Sequence, residues 1–261
     1  MATTKKTPSK AASTAVATRK STAVSVVNVK EMLARIAAES EGKTAPGNGN
    51  KIRVTQDKQF VLPDGTKTRD PLQVVIVDFT SKNEFYEDAF DKDNIASPVC
   101  FAIGDQALKL VPSDNSTDKQ ASNCGECPMN AFGSKGAGKA CKNMRLLAVM
   151  PPDADADTPL WLLAVSPTAL KGFDGYVKDV QRQFGTPPVG VVTTVSFGDS
   201  TWASLVFGDA LENPNIETHL ARYDEAKALL AEEPMITPKA EKPAKPAAKG
   251  PAKRPAVAGR R

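Results

Sequence analysis

Short apolar runs rich in β-branched residues recur between turn residues from Lys51 onward, and this pattern is typical of β-strands. They predict strands at 60–62, 73–79, 98–103, 144–150 and 160–165, followed by a hairpin built from 189–197 and 202–207. Three other segments have helical spacing or composition, at 28–40, 166–184 and 217–232. In the second of these, Ser166 is the expected N-cap and Gly185 the expected end.

The order of these elements predicts a fold that is mainly β with helices. One helix between the third strand region and a closing hairpin is the order of an OB-fold, a partly open five-stranded barrel that binds single strands or oligosaccharides. The segment 100–141 would be a long insertion in that barrel, with too few apolar residues for a core of its own. We therefore expect an OB-fold-like domain at 51–212 that contains this loop, and a C-terminal helix at 213–234.

Composition changes at both ends of the chain. Residues 1–27 form a basic arm and residues 235–261 a basic tail rich in Lys, Pro and Ala, and both are predicted to be disordered. Between the arm and the barrel, residues 28–50 hold the first predicted helix and a linker rich in Gly and Pro.

The two ends also carry the positive charge of the chain. The formal net charge is +4, but residues 1–20 carry +5 and residues 237–261 carry +7, which leaves −8 for residues 21–236. Nucleic-acid binding by the folded part would therefore depend on a local basic patch rather than on bulk charge.

Several function classes lack the residues they need. No stretch approaches the roughly 18 apolar residues of a membrane span, and the polar, basic start has no apolar segment of a signal peptide, so we expect a soluble, cytoplasmic protein without membrane contact. His219 is the only histidine and is expected at the surface, which leaves little material for a hydrolytic triad and favours a non-enzymatic protein. The run from Gly133 to Lys139 fits most of the phosphate-loop pattern, but Ala140 replaces its magnesium-binding hydroxyl.

All the cysteines of the chain fall within a 42-residue window, at Cys100, Cys124, Cys127 and Cys141. The pair Cys124 and Cys127, with Gly125 between them, lets two thiolates bind one tetrahedral zinc ion from a single turn. The spacing favours a structural Zn²⁺ site with four cysteine ligands. Two disulfides, or thiols that are unligated or redox-active, are the alternatives.

The same window concentrates positive charge and glycine. The basic side chains at its end and just after it form the best local patch on an acidic body, with a solvated surface loop as the alternative, and they are Lys135, Lys139, Lys142 and Arg145. Phe85, Tyr86 and Phe132 lie in polar surroundings and are the candidates for stacking on bases. Phe101, Trp161 and Trp202 lie in strand patterns and are expected in the core.

Several motifs of this region resemble phage-encoded proteins described as zinc-containing and single-stranded-DNA-binding-like: Ser97-Pro-Val-Cys100, Cys124-Gly-Glu-Cys127-Pro, Phe132-Gly-Ser-Lys, Gly138-Lys-Ala-Cys141-Lys and Arg145-Leu-Leu. The resemblance covers about residues 70–208. It implies an OB-type barrel, a zinc loop held by the four cysteines, and coating of single strands in phage replication or recombination. Lys139 and Lys142 match its basic loop positions. The C-terminus departs from the pattern, because proteins that coat single strands commonly end in an acidic tail and this chain ends in a basic one.

Two functions are compatible with these features. The first is a non-enzymatic single-stranded-DNA-binding protein of phage replication or recombination, in the host cytoplasm, with DNA and other replication or recombination proteins as partners. In it the basic loop contacts phosphates, aromatic side chains stack on bases, and zinc is structural. The second is a structural or packaging protein whose basic ends bind nucleic acid without preference. A metal-dependent enzyme would need an open position on the zinc ion.

Overall fold

The computed structural model of the chain describes residues 31–33, 35–36, 49–88, 96–234 and 236. The chain divides into two compact units, Met1–Gly47 and Asn48–Arg261. In the first unit the described residues 31–33 and 35–36 are helical, in agreement with the helix predicted at 28–40. The rest of that helix, the arm at 1–27 and all of the tail at 235–261 except residue 236 lie outside the described residues.

The second unit is mainly β, as predicted. Its strands are β1 (Lys51–Val54), β2 (Phe60–Val61), β3 (Lys67–Thr68), β4 (Leu72–Phe85), β5 (Cys100–Gly104), β6 (Lys142–Met150), β7 (Trp161–Val165), β8 (Val191–Phe197) and β9 (Leu205–Glu212). Its helices are α1 (Leu170–Phe184), α2 (Ile216–Leu220) and α3 (Tyr223–Leu230). In the part of the chain that the structure describes, no helix has the length and apolar character needed to cross a membrane.

The strands form one curled mixed sheet, a half-barrel, in the order β3-β2-β1-β7-β6-β4-β8-β9. β1 and β7 run parallel, and the other pairs are antiparallel. The long strand β4 organises the sheet: β6 follows one edge, while the other edge pairs with β8 at its start and with β5 at its end. The predicted hairpin of β6 and β7 and the closing hairpin of β8 and β9 are both present.

The inner face of the half-barrel and α1 enclose the main core. Ile76, Leu147 and Leu163 are buried on neighbouring strands β4, β6 and β7. Phe173 of α1 is fully buried and meets Phe79 and Phe207 edge-on, with ring centroids 5.2 and 4.9 Å apart. Because burial of such a side chain contributes roughly 1.5–3 kcal/mol, these contacts fix α1 on the sheet.

The C-terminal segment differs from the prediction of one helix at 217–232. It forms the two short helices α2 and α3, and α3 packs Ala226 and Leu230 on the outer face of β4 and β6. His219 of α2 is fully buried, so its predicted surface position is wrong. Its Nδ1 lies 2.8 Å from the Asn215 carbonyl oxygen, and its Nε2 lies 3.1 Å from that of Pro151. These two backbone partners, one in the same turn of chain and one just after β6, hold a polar ring in the interior.

Three local predictions are also corrected. α1 begins at Leu170 and not at Ser166, whose hydroxyl is 2.9 Å from that of Thr168 in the preceding turn. Its end is as predicted, with Gly185 in the left-handed conformation at a φ of 66°. The strand predicted at 73–79 continues to Phe85. Trp202 lies in the turn before β9, is 60 % exposed, and is therefore outside the core.

Candidate metal centre and nucleic-acid interface

Strand pairing brings the first and last cysteines together. Phe85 at the end of β4 is opposite Cys100 of β5, and Glu84 is opposite Lys142 of β6. Cys141 directly precedes Lys142, so Cys100 and Cys141 enter from the two strands that flank Phe85. The expectation that a strand delivers Cys100 is therefore confirmed.

The other two cysteines lie in the long segment between β5 and β6, which we call the cysteine loop (residues 105–140). The Cys124 amide donates to the Leu110 carbonyl at 2.9 Å, and the Asn130 side-chain amide donates to the Cys124 carbonyl at 2.7 Å. A short 3-10 turn, Pro128–Asn130, follows Cys127. The Cys141 amide donates to the Met129 carbonyl at 2.8 Å, so this turn is tied to the start of β6.

All four cysteines line one cavity, together with the side chains of Asn83 and Phe85. Its volume is about 10 Å³, close to the space that one water-sized sphere needs. Cys100, Cys124 and Cys141 are buried and Cys127 is half-buried, and all four are free thiols without disulfides. The cavity therefore has room for a single small ion or molecule.

Burial controls the acidity of these thiols. It raises the pKa of Cys141 to about 12, and repulsion from the other three cysteines adds to the rise. Burial also raises the pKa of Cys124, against a hydrogen bond from the Asn83 side chain that lowers it. Without a cation beside them, the thiols of Cys124 and Cys141 are thus held in their neutral form.

The sulfur atoms do not yet form a ligand sphere. Of the described residues, no three or more His, Cys, Asp or Glu side chains are arranged so that they could hold a metal ion as they stand. The residue types, the shared cavity and its size fit one tetrahedral ion.

A chain of hydrogen bonds leads from the cavity to the surface, and the sequence did not reveal it. The Asn143 amide donates to Asn83 Oδ1 at 2.8 Å. Lys139 Nζ donates to Asn143 Oδ1 at 3.0 Å and to Asn130 Oδ1 at 3.3 Å. Asn83 and Asn143 are opposite each other on β4 and β6, a pairing that the residue spacing alone does not indicate.

Two lysines near Cys141 lie over aromatic rings. Lys139 Nζ is 5.0 Å from the ring centroid of Phe132, and Lys142 Nζ is 4.8 Å from that of Tyr86. Phe132 is 81 % exposed, as predicted. Tyr86 is half-buried, and its hydroxyl donates to Glu84 at 2.9 Å. Burial, followed by the Glu84 charge, raises the pKa of Tyr86. Both pairs are cation–π contacts at the end of the sheet that carries the cysteines. Strand alternation places Tyr86 and Lys142 on the face opposite Asn83 and Cys141, which line the cavity.

The remaining predicted site residues are in three different settings. Lys135 is exposed in a small turn closed by its bridge to Gly138, where Gly136 has a φ of 60° that favours glycine. Phe85 lines the cysteine cavity and so has a packing role there. Arg145 is on the inner side of β6, bound to Asp174 of α1 at 3.0 Å, and is not part of a surface patch with the lysines.

The structure therefore brings together the four cysteines, Phe132 with Lys139, and Tyr86 with Lys142 at one end of the sheet. It leaves Arg145 in an ion pair with α1 and Phe85 in the cavity wall. Compared with known protein families, with curated proteins and with solved structures, the chain gives no significant match.

Proposed function

We propose that the folded part of the chain binds single-stranded DNA at the end of the sheet that carries the cysteines. The observation that carries this proposal is the exposed Phe132 ring with the Lys139 ammonium over it. The second pair, Tyr86 and Lys142, lies at the same end of the sheet but on its opposite face. An aromatic ring stacks on any base, and an adjacent cation meets the phosphate. The folded part of the chain is acidic overall, so its net charge does not attract DNA, and binding needs a local arrangement of this kind.

The connectivity of the sheet supports the proposal. In the order β4-β6-β7-α1-β8-β9, β4 pairs with both β6 and β8, as the first strand of an OB-type barrel does. The connection that contains β5 and the cysteine loop then joins the first two strands of that barrel, and the turn before β9 joins the last two. These are the two loops that border the ligand in OB-folds. A role in phage replication or recombination rests on the motif resemblance alone.

We further propose that one structural zinc ion is bound by Cys100, Cys124, Cys127 and Cys141. Four thiolates complete its tetrahedron and leave no open position for a substrate. The Asn83 amide would donate to a coordinated sulfur, which orients the ligand and disperses its charge. In this proposal the ion holds the cysteine loop against β4 and β6, and so keeps Phe132 and Lys139 in place.

The test compares variants of the full-length chain in binding to fluorescent oligo(dT) at low salt. Phe132→Ala should weaken binding about 5- to 150-fold, because stacking on one base contributes about 1–3 kcal/mol. Leu108→Ala is the matched control, since Leu108 is an apolar residue of the same loop and is 92 % exposed. Lys139→Ala should weaken binding as well. Equal affinity of Phe132→Ala and the unchanged chain would refute this interface.

A further variant separates this proposal from binding by the tail. In it the tail cations are replaced by Gln at Lys239, Lys242, Lys245, Lys249, Lys253, Arg254, Arg260 and Arg261. We expect this tail variant to bind oligo(dT). Adding Phe132→Ala to the tail variant should weaken that binding. Loss of all binding, equally for single- and double-stranded DNA, would instead favour the packaging function.

A further inference from the structure

Trp202 is a large aromatic residue that the fold positions but does not bury. It lies in the turn between β8 and β9, and 60 % of it is exposed. Its own carbonyl accepts hydrogen bonds from the Ser204 amide at 2.9 Å and the Ser200 hydroxyl at 2.8 Å. The Gly198 amide donates to the Ser204 carbonyl at 3.0 Å, which closes the turn. The backbone of Trp202 is thus held in a defined conformation.

This turn is also attached to the hairpin of β1 and β2. Lys58 Nζ donates to the Gly198 carbonyl at 2.9 Å. Phe60 and Phe197 stack with their ring centroids 4.4 Å apart. The two hairpins therefore form the fixed walls of the space next to Trp202.

That space is a pocket of about 520 Å³. Its walls are Val54, Thr55 and Gln56 on one side, Thr201, Trp202 and Ala203 on the other, and Ser166. None of the described charged side chains lines it, and the charged residues within two positions of it in sequence are of both signs, Arg53, Asp57, Lys58 and Asp199. Such a pocket suits a flat, neutral group with hydrogen-bonding edges, and it does not attract a phosphate.

The pocket lies at the end of the sheet that carries the cysteines. Val165, the last residue of β7, is opposite Arg145 of β6, and Ser166 continues toward Cys141 because the two strands are antiparallel. From strand spacings, Ser166 and Cys141 are about 10–15 Å apart. A single strand that occupies an OB-type site of 4 or more nucleotides spans such a distance.

We propose that Trp202 and its pocket bind a nucleobase of the same single strand that passes over Phe132. This inference rests on the proposed function and adds a second contact region to it. The neutral pocket receives the base, while the cations of the cysteine loop meet the phosphates. Trp202 then determines how long a strand must be to bind fully.

Intrinsic fluorescence tests the contact directly, because the chain has only two tryptophans, Trp161 and Trp202. In a full-length Trp161→Phe variant, saturating oligo(dT) should quench the remaining emission. The complementary variant, Trp202→Phe, keeps Trp161 on β7 and should show little quenching. Emission from Trp202 that stays constant while the DNA binds would overturn the inference.

Affinity gives an independent measurement. Trp202→Ala should weaken oligo(dT) binding about 5- to 150-fold, and Trp202→Phe should retain most of the affinity. Val206→Ala is the control, since Val206 is 47 % exposed on the same hairpin and lies outside the pocket. Unchanged affinity of Trp202→Ala, with Phe132→Ala weakened, refutes only this inference. Unchanged affinity of both variants also refutes the proposed function.

A soluble oligosaccharide serves as the competing ligand, because aromatic rings in uncharged pockets and OB-folds also bind sugars. Maltoheptaose should leave the emission of Trp202 unchanged. Quenching by the sugar and not by oligo(dT) would contradict the assignment to a nucleobase.

Discussion

Removal of zinc should disorder the cysteine loop and leave the half-barrel folded. Within residues 105–140 the buried side chains are Leu110, Pro112 and Cys124. Burial of Leu110 contributes roughly 1.5–3 kcal/mol, whereas ordering the backbone costs about 1–2 kcal/mol for each residue. Hydrogen bonds such as that from Cys124 to Leu110 add about 1 kcal/mol each. We therefore expect the order of so long a loop to depend on a further cross-link, such as the proposed ion.

Hydrogen–deuterium exchange of the full-length chain measures this effect. After chelation, amides in 105–140 should exchange at least about 100-fold faster, a loss of about 2.7 kcal/mol of local stability. Peptides from β6 and β7 should change little and provide the internal reference. The untreated protein should contain one zinc ion per chain by elemental analysis, and the double variant Cys124→Ser, Cys127→Ser should behave like the chelated protein. Absence of zinc, or equal exchange of the loop with and without it, would refute the reasoning.

Two further predictions concern the outer face of the sheet. His219→Ala should lower the free energy of unfolding in urea by about 2–4 kcal/mol, because it removes the hydrogen bonds of the ring to two carbonyls and opens a cavity. The control is Leu220→Ala, at a neighbouring exposed position, which should change the free energy of unfolding by no more than about 0.5 kcal/mol. A decrease of less than about 1 kcal/mol for His219→Ala would contradict the buried position of the ring. Burial raises the pKa of Asp78 above 3.8, and the nearby Asp105 adds a smaller rise. The folded state therefore holds the Asp78 proton more tightly than the unfolded state does. The stability that this gives at low pH is lost as the pH rises. The unfolding free energy of Asp78→Asn, relative to that of the unchanged chain, should therefore increase as the pH rises from 3.8 to 7. A difference between the two chains that does not change with pH would contradict this prediction.

The elements predicted correctly are those whose signal is local. The spacing of Phe173 and Val180 and the glycine at 185 identify α1, and the apolar runs identify β6 and β7. The second half of β4 was missed because its residues, from Thr80 to Glu84, are mostly polar. All of them except Lys82 are buried all the same, and β5 and β6 pair with both edges of this part of the strand. The parallel pairing of β1 with β7 joins segments far apart in sequence, and no local pattern specifies it.

For the candidate site, too, the features with a local sequence signal were predicted, and those that depend on strand pairing were missed. Cysteine spacing suggested one cluster, and the four side chains do line one cavity. The asparagines around it were missed because Asn83 and Asn143 meet only through the register of β4 and β6. Arg145 was placed with the lysines from its sequence position. Strand alternation instead directs it to the inner face, where Asp174 of α1 neutralises it.

Lys139 links the two proposed roles of this end of the sheet. Its ammonium has hydrogen bonds to Asn130, which is bound to the Cys124 backbone, and to Asn143, which is bound to Asn83 in the cavity wall. The same ammonium lies over the exposed ring of Phe132. Any change in the positions of the cysteines is therefore transmitted through two short polar contacts to the aromatic surface. A structural ion at this place would act on DNA binding without touching the DNA, because it would fix the cation and the ring that we propose as the DNA contacts.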